Sequence, residues 1–592
     1  MKKIVLLVIT LWSTLVLSQS EQLADNYFKQ GDFEKALIIY QQLDQAKPGS
    51  TKYLYKIVET YQQLEQYDKA GQMLSDRISK SSFPTLLIEM GYNYQLQDSL
   101  TLADQYYDEA IQKIEERPIY VSSIARKFEE HSLLDKAIIV YKRGIQLNPD
   151  HNYNIQLARI YGEQGNVEQM FSNYIDYIED KPEFINNAKR AFSDFVSENK
   201  DNENNVHLKK LLLKKIQTNP EVYWYELLSW LYVQEKDYSK SFTQEKALYK
   251  RNPESLDRIM ELALVAMNEK DYEIATDIFE YTLQNSQDIS SILKAHQFLL
   301  EIQTINATPK DYKNIDEQYQ AIFGEYGIYE QTVPLQIAYG NFLAFYKHDP
   351  ETASKFLKKS LQLELSDFQE ATVKLKLADI LVYQEKFNEA LIFYSQIQAN
   401  LKNSTISQEA RFNVAKTSYY KGDFEWAESQ LKILKSSTSQ LIANDALDLK
   451  LLISDNKYED SLHVALKLYA KADLMAFQNK TDEAITLLDK ILAEHKGESI
   501  EDQALFKQAQ LFEKKKQFEK AANNYQVIIA NYRDDILADD AYYYLAELYT
   551  NQLGQPEKAK ELYEKIIFNH EDSIYFVEAR KKFRMLRGDA IN

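Results

Sequence analysis

GDFEKALIIYQQLDQAKP, residues Gly31 to Pro48, is the stretch on which the rest of the chain is a set of variations. Ala36 is small enough to let two helices approach closely. Tyr40 lies one turn further along the same face, and Pro48 ends the helix because it has no N–H and clashes with the preceding turn. The stretch therefore predicts the second helix of a helical hairpin and its exit turn.

The same signals recur. The small residue of the second helix falls at Ala36, Ala70, Ala103, Ala137 and Met170, at spacings of 34, 33, 34 and 33 residues. Prolines supply a second ruler, with Pro48, Pro84, Pro118, Pro149, Pro182, Pro220 and Pro253 separated by 31 to 38 residues. Twelve positions before each small residue comes another, such as Gly91, Ala125 and Ala158, with an aromatic three later at Tyr94, Phe128 and Tyr161. These mark the first helix of each hairpin.

A small-aromatic-proline pattern at this period resembles the tetratricopeptide repeat, and the resemblance covers most of residues 21–580. It departs where the family places an early tryptophan, filled here by Leu54, Val121 or Tyr225. It implies an all-α, right-handed solenoid of helical hairpins whose first helices line a concave face, each unit resting mainly on its neighbours. In that frame Tyr55, Ile88, Tyr92, Arg126, Ile155, Arg159, Glu226, Trp230, Met260 and Tyr543 point into the groove. Of these Tyr55, Tyr92, Arg126, Arg159, Trp230 and Tyr543 are the candidate partner-binding residues, because large aromatic and Arg groups exposed together anchor peptides.

The rhythm divides the chain. Residues 19–285 form an N-terminal array, with a degenerate repeat at 183–220 whose polar run Asn199 to Asn205 reads as a solvated loop. Residues 286–334 slip out of phase, punctuated by Pro309, Gly324 and Gly327, and read as an irregular connecting segment. Residues 335–592 form a C-terminal array on a longer beat, since Ala353, Ala390 and Ala427 are 37 apart and Ala484, Ala521 and Ala559 are 37 and 38 apart. It is irregular at 441–478, where Leu441 to Ser454 and Glu459 to Gln478 read as two helices out of phase with their neighbours. The last repeats, within Asp502 to Asp589, resemble those of two bacterial envelope proteins, the outer-membrane-protein assembly lipoprotein and the periplasmic coordinator of the Tol-Pal system. Arg533 and Glu571 stand where those repeats carry proline, and there is no cysteine for a lipid anchor.

Residues 1–18 have Lys2 and Lys3, then the mostly apolar run Ile4 to Leu17, then Ser18: the layout of a secretory signal peptide with cleavage before Gln19. The run is too short to span a bilayer, so no transmembrane span is expected after cleavage. Export without a single cysteine fits the periplasm, or release from the cell, and a fold held by stacked helices alone. A net charge of −19 argues against nucleic acid.

Chemistry is hard to find. There is no nucleophile elbow, phosphate loop, H-E-x-x-H or Gly-rich dinucleotide turn. The eight histidines are scattered singly. The run Asp201, Glu203, Asn205 resembles a calcium loop, but Val206 stands where glycine is needed and Leu212 where a bidentate Glu is needed. No catalytic residue, metal ligand or cofactor is assigned. Most of the 43 tyrosines recur at packing positions, for example Tyr40, Tyr107, Tyr141, Tyr174, Tyr525 and Tyr563. The expected function is a non-enzymatic exported scaffold holding one or more envelope proteins or peptides in its groove. A holdase for outer-membrane proteins and a glycan- or peptidoglycan-binding module remain as alternatives.

Overall fold

The computed structural model describes residues 20–434, 439–457 and 462–589. The expected signal peptide and its cleavage site lie outside them. Among the described residues there are helices and turns and no strand. The fold is an all-α, tetratricopeptide-type solenoid of helical hairpins.

Two compact units divide the chain, Met1–Lys236 and Asp237–Asn592. The segment 286–334, expected as a connector between arrays, falls within the second unit. It holds a regular hairpin, Ile289–Asn306 with Tyr312–Tyr326, and the 3-10 turn Glu330–Thr332.

One backbone device builds most of the hairpins. Five positions before the small residue of the second helix, the chain adopts a left-handed conformation: Gly31 before Ala36, Glu65 before Ala70, Asp98 before Ala103, Ser132 before Ala137 and Gly165 before Met170. The second unit repeats it at Lys270, His348, Glu385, Gly422, Asn479, Lys516 and Gly554. The next N–H then bonds back to the first helix, as Gln66 N to Tyr61 O at 2.8 Å and Leu133 N to Phe128 O at 2.8 Å. This is a Schellman closure, which satisfies carbonyls that a helix end would otherwise leave open. It reverses the chain and sets Ala36, Ala70, Ala103 and Ala137 into the interface, where each is fully or almost fully buried.

The packing tyrosines have a second use. Tyr40 OH donates to Asp25 (2.5 Å), Tyr107 to Gln95 (2.9 Å), Tyr141 to Glu129 (2.7 Å), Tyr394 to Asp379 (2.6 Å) and Tyr525 to Glu513 (2.6 Å), and Tyr563 donates to Glu547. The acceptor lies 12 positions before the tyrosine in three of these bonds and 15 or 16 before it in the others, which is one helical turn apart on the first helix. The ring fills the core and the hydroxyl ties the two helices together. Tyr174, placed in the same slot by the sequence, is only half-buried.

Two of the irregular stretches have physical explanations. In 183–220 the polar run is a short loop, 199–202, leading into the first turn of a helix, and is only partly solvated. Asn202 caps the Glu203–Thr218 helix, and the fully buried Asn205 donates to Ser197 O (2.7 Å) and to Glu235 Oε1 (3.2 Å). In 441–478, Gln440–Asn456 is an extra helix beside the Phe424–Leu434 helix, while the next helix, Val464–Phe477, packs on the first helix of the preceding hairpin, Thr405–Lys421. The second expected helix starts at Glu459; residues 458–461 lie outside those described. Asp473 anchors Val464–Phe477 through Lys507 Nζ at 2.6 Å. Burial would raise the Asp473 carboxyl, but Lys507 and Lys416 outweigh it and hold the group below the ordinary range.

Candidate protein-docking groove

In the second unit, four first helices lie side by side: Ile289–Asn306, Val333–Asn341, Asp367–Tyr383 and Thr405–Lys421. They enclose an open groove of about 640 Å³. Each helix offers one face at the 3–4 spacing of a helical stripe. The first presents Gln297, Glu301, Thr304 and Ile305, the second Pro334, Ile337, Ala338 and Asn341, and the third Phe368, Thr372, Leu375, Lys376 and Asp379. Glu409 comes from the fourth helix, and Tyr346 from a π-helical turn, Phe342–Tyr346, that follows the second. A further hollow of about 400 Å³ shares Gln297 and Pro334 and extends to Asp288 and Leu335.

The wall is apolar and open to solvent. Phe368 is 61% exposed and Ile305 47%. At one end the lining is charged. Lys376 Nζ reaches Asp379 Oδ2 at 3.5 Å and Asn341 Oδ1 at 3.3 Å, and lies 5.7 Å from the Phe345 ring centre. Asp379 also accepts from Tyr394 and from Asn413 Nδ2 at 3.4 Å, so its position is fixed by the repeat's own tyrosine bond. Glu301 accepts from Gln297 Nε2 at 2.9 Å. Burial pushes the Glu301 carboxyl above its ordinary range, partly offset by Gln297 and Lys376. Burial and then the nearby Asp379 push Glu409 up, against the pull of Lys376.

The residues chosen from the sequence lie elsewhere. Tyr55 and Tyr92 meet in one interlocked cluster of the first unit. Tyr55 OH bonds Thr85 Oγ1 at 2.7 Å, and Lys127 Nζ sits 4.3 Å from the Tyr55 ring centre. Lys127 pairs with Glu89 at 3.0 Å, Glu89 lies 3.2 Å from His131 Nε2, and His131 stacks on Tyr92 at 3.9 Å. Burial would raise the Glu89 carboxyl, but His131 and Lys127 hold it below its ordinary range. Arg126 is exposed, Arg159 pairs with Glu129, and Trp230 is half-buried with its ring centre 6.4 Å from that of Phe192. Tyr543 stacks on Tyr575 at 4.2 Å in the second unit. Ile88 and Met260, which the repeat frame also turns toward the groove, are buried in the core.

The open groove escapes the sequence reading because two of its lining faces, on Ile289–Asn306 and Val333–Asn341, fall in or next to the segment read as a connector. A signal is present: Phe368, Leu375, Lys376 and Asp379 share one face, while Ala371, Ala378 and Leu381 make the buried one. Among the described residues no helix is long and apolar enough to cross a membrane.

Three segments, residues 22–50, 503–535 and 540–573, match the family model described as the tetratricopeptide repeat. Solved structures similar to the chain include that of Naa15/Naa10 bound to HypK-THB, at 11% identity over 97% of this chain and 94% of that one, with a TM-score of 0.30. Another is the APC/C hetero-tetramer Cut9-Hcn1, at 12% identity over 98% of each chain, with a TM-score of 0.26. No curated protein sequence matches the chain significantly. Tetratricopeptide repeats are scaffolds for protein–protein interaction, and their stacked helices offer extended surfaces for partners.

Proposed function

We propose that the chain is an exported, non-enzymatic scaffold that docks a protein partner in the groove between Ile289–Asn306 and Thr405–Lys421, and that it serves the assembly or organisation of envelope proteins. The groove carries the reading: four adjacent helices leave Phe368 and Ile305 in water beside a set of fixed polar groups. Apolar anchors with a few placed polar groups are what peptide recognition uses. The basic-then-apolar segment 1–18 supports export, and the likeness of the last repeats to envelope proteins supports the compartment.

The test compares the tagged wild-type chain with a Phe368→Asp, Leu375→Asp variant, each recovered from its own cells after gentle crosslinking. A stoichiometric partner present with the first and lost with the second, at equal helical content, supports the proposal. An identical set of partners with both would overturn the groove's role. The N-terminal residue of the recovered chain reads the export claim directly: it is Gln19 if the leader is cut where proposed.

A further inference from the structure

We infer that the groove takes a basic-apolar segment of its protein partner: a Lys or Arg of that segment lies among Glu301, Asp379 and Glu409, and a neighbouring large apolar side chain lies on Phe368, Leu375 and Ile337. This rests on the docking reading above and gives the partner its chemistry.

Charge complementarity carries the inference. The groove holds three carboxylates and one cation, and Lys376 is already engaged by Asp379 and Asn341. Neighbouring carboxylates outside the groove are matched differently. Glu351 pairs with Lys386 at 3.0 Å, Glu385 with Lys471 at 3.0 Å and Asp316 with Lys347 at 2.5 Å. Among the described residues neither Glu301 nor Glu409 has a Lys or Arg of its own at ion-pair distance; Glu301 takes only the neutral amide of Gln297. Two carboxylates beside an apolar wall, partly out of water and short of a counter-charge, are stabilised by a cation that arrives with the partner. An acidic segment would meet like charge at the same place, which costs affinity and so discriminates against it. The apolar wall adds the second requirement. A purely basic peptide would leave Phe368 and Ile305 in water, and a purely apolar one would cover the carboxylates without pairing them.

The experiment uses the full chain and three fluorescein-labelled peptides of equal length. In the first, Leu and Phe alternate with Arg and Lys; the second carries Asp and Glu at the charged positions, and the third carries Ser. Binding is read by anisotropy at low and high salt. The inference expects the basic-apolar peptide to bind best and to weaken with salt. It expects a Glu301→Gln, Glu409→Gln variant to weaken that peptide by about tenfold or more while leaving the Ser peptide unchanged. Circular dichroism of the variant serves as the folding control. Equal binding of the three peptides, or an unchanged affinity in the double variant, overturns the inference. If Phe368→Ser then weakens all three alike, the groove still docks peptides and only the charge assignment falls. If Phe368→Ser and the Glu variants leave every affinity untouched, the docking reading falls as well.

Discussion

Gln478 donates its side-chain amide to the backbone carbonyl of Tyr383, 2.8 Å away and 95 positions earlier in the chain. Gln478 is buried, and next to it Asn479 Nδ2 donates to Phe345 O at 3.0 Å. Phe477 completes the contact edge-on to Phe345 at 5.4 Å. A solenoid in which each repeat met only its neighbour would not bring these residues together. The extra helix Gln440–Asn456 packs against Phe424–Leu434 and buries Ala446 and Ile453 in the same core, while Val464–Phe477 closes onto helices that precede it. The same contact braces Phe345, whose ring lies under the groove residue Lys376.

Replacing Gln478 by Ala removes a buried hydrogen bond and leaves the Tyr383 carbonyl without that donor, a loss of about 1–3 kcal/mol. Repeat arrays open in parts, so a global melting curve is the wrong readout. Amide hydrogen exchange is the right one: protection in Val464–Phe477 and at the end of Asp367–Tyr383 is expected to fall, while the first unit is unchanged.

Glycine positions give two substitutions of one kind with opposite signs. Gly165, in a hairpin turn, has a φ of +72° and open space around it, so Gly165→Ala forces a side chain into the left-handed region and is expected to destabilise by about 1 kcal/mol. Gly324 lies inside the Tyr312–Tyr326 helix, where an added methyl group would meet open space and the backbone is not left-handed, so Gly324→Ala is expected to stabilise by about 0.5–1 kcal/mol. Local exchange protection around each site distinguishes them.

Tyr525→Phe keeps the ring in the core and deletes only the bond to Glu513, whose carboxyl burial already pushes up. The expected loss is about 1–2 kcal/mol, and Glu513→Gln in the same chain should recover part of it, because a neutral amide is cheaper to leave in that site. A double-mutant cycle measured in urea on the C-terminal repeats checks this. Additive effects would mean that the bond does not couple the two helices.

Burial pushes the carboxyls of Asp502 and Asp540 up to about 6. Between pH ~4 and ~6 the folded chain therefore keeps protons that the unfolded chain has released. Stability contributed by these groups falls as pH rises through that window and is flat above it. Asp502→Asn removes one of the two groups, so the variant should be more stable than wild type at pH 7 by about 1–2 kcal/mol and equal to it near pH 4. Denaturation at the two pH values, followed through the C-terminal repeats, reads the difference.

Much of the fold was legible because alanine, tyrosine and proline each have a characteristic packing or stopping role at their place in the repeat, and Ala36, Tyr40 and Pro48 show all three, although the tyrosine's second use, its hydroxyl bond to the first helix, was not. The turn was not legible. Its left-handed residue is a glutamate, aspartate, serine, lysine, histidine, asparagine or glycine, as at Glu65, Asp98, Ser132, Lys270, His348 and Asn479, so no residue type marks it and only its distance from the small residue is constant. Asn205 misled for a related reason: a polar side chain reads as solvated until its partners, here Ser197 and Glu235, are known. The groove was hidden by rhythm. Repeats at 286–334 depart from the regular spacing, yet Ile289–Asn306 and Val333–Asn341 still present intact faces, and those faces hold Glu301 and Ile337.

The most direct test of the central claim places a photoreactive residue at Leu375 in the full chain, with others at Tyr92 and Trp230 in the first unit, and maps the adducts by mass spectrometry in the cells that make the protein. A protein docked in the second unit's groove predicts one dominant adduct at Leu375, on a segment of a single partner, that disappears with Phe368→Asp. Adducts confined to Tyr92 or Trp230, with none at Leu375, would contradict it.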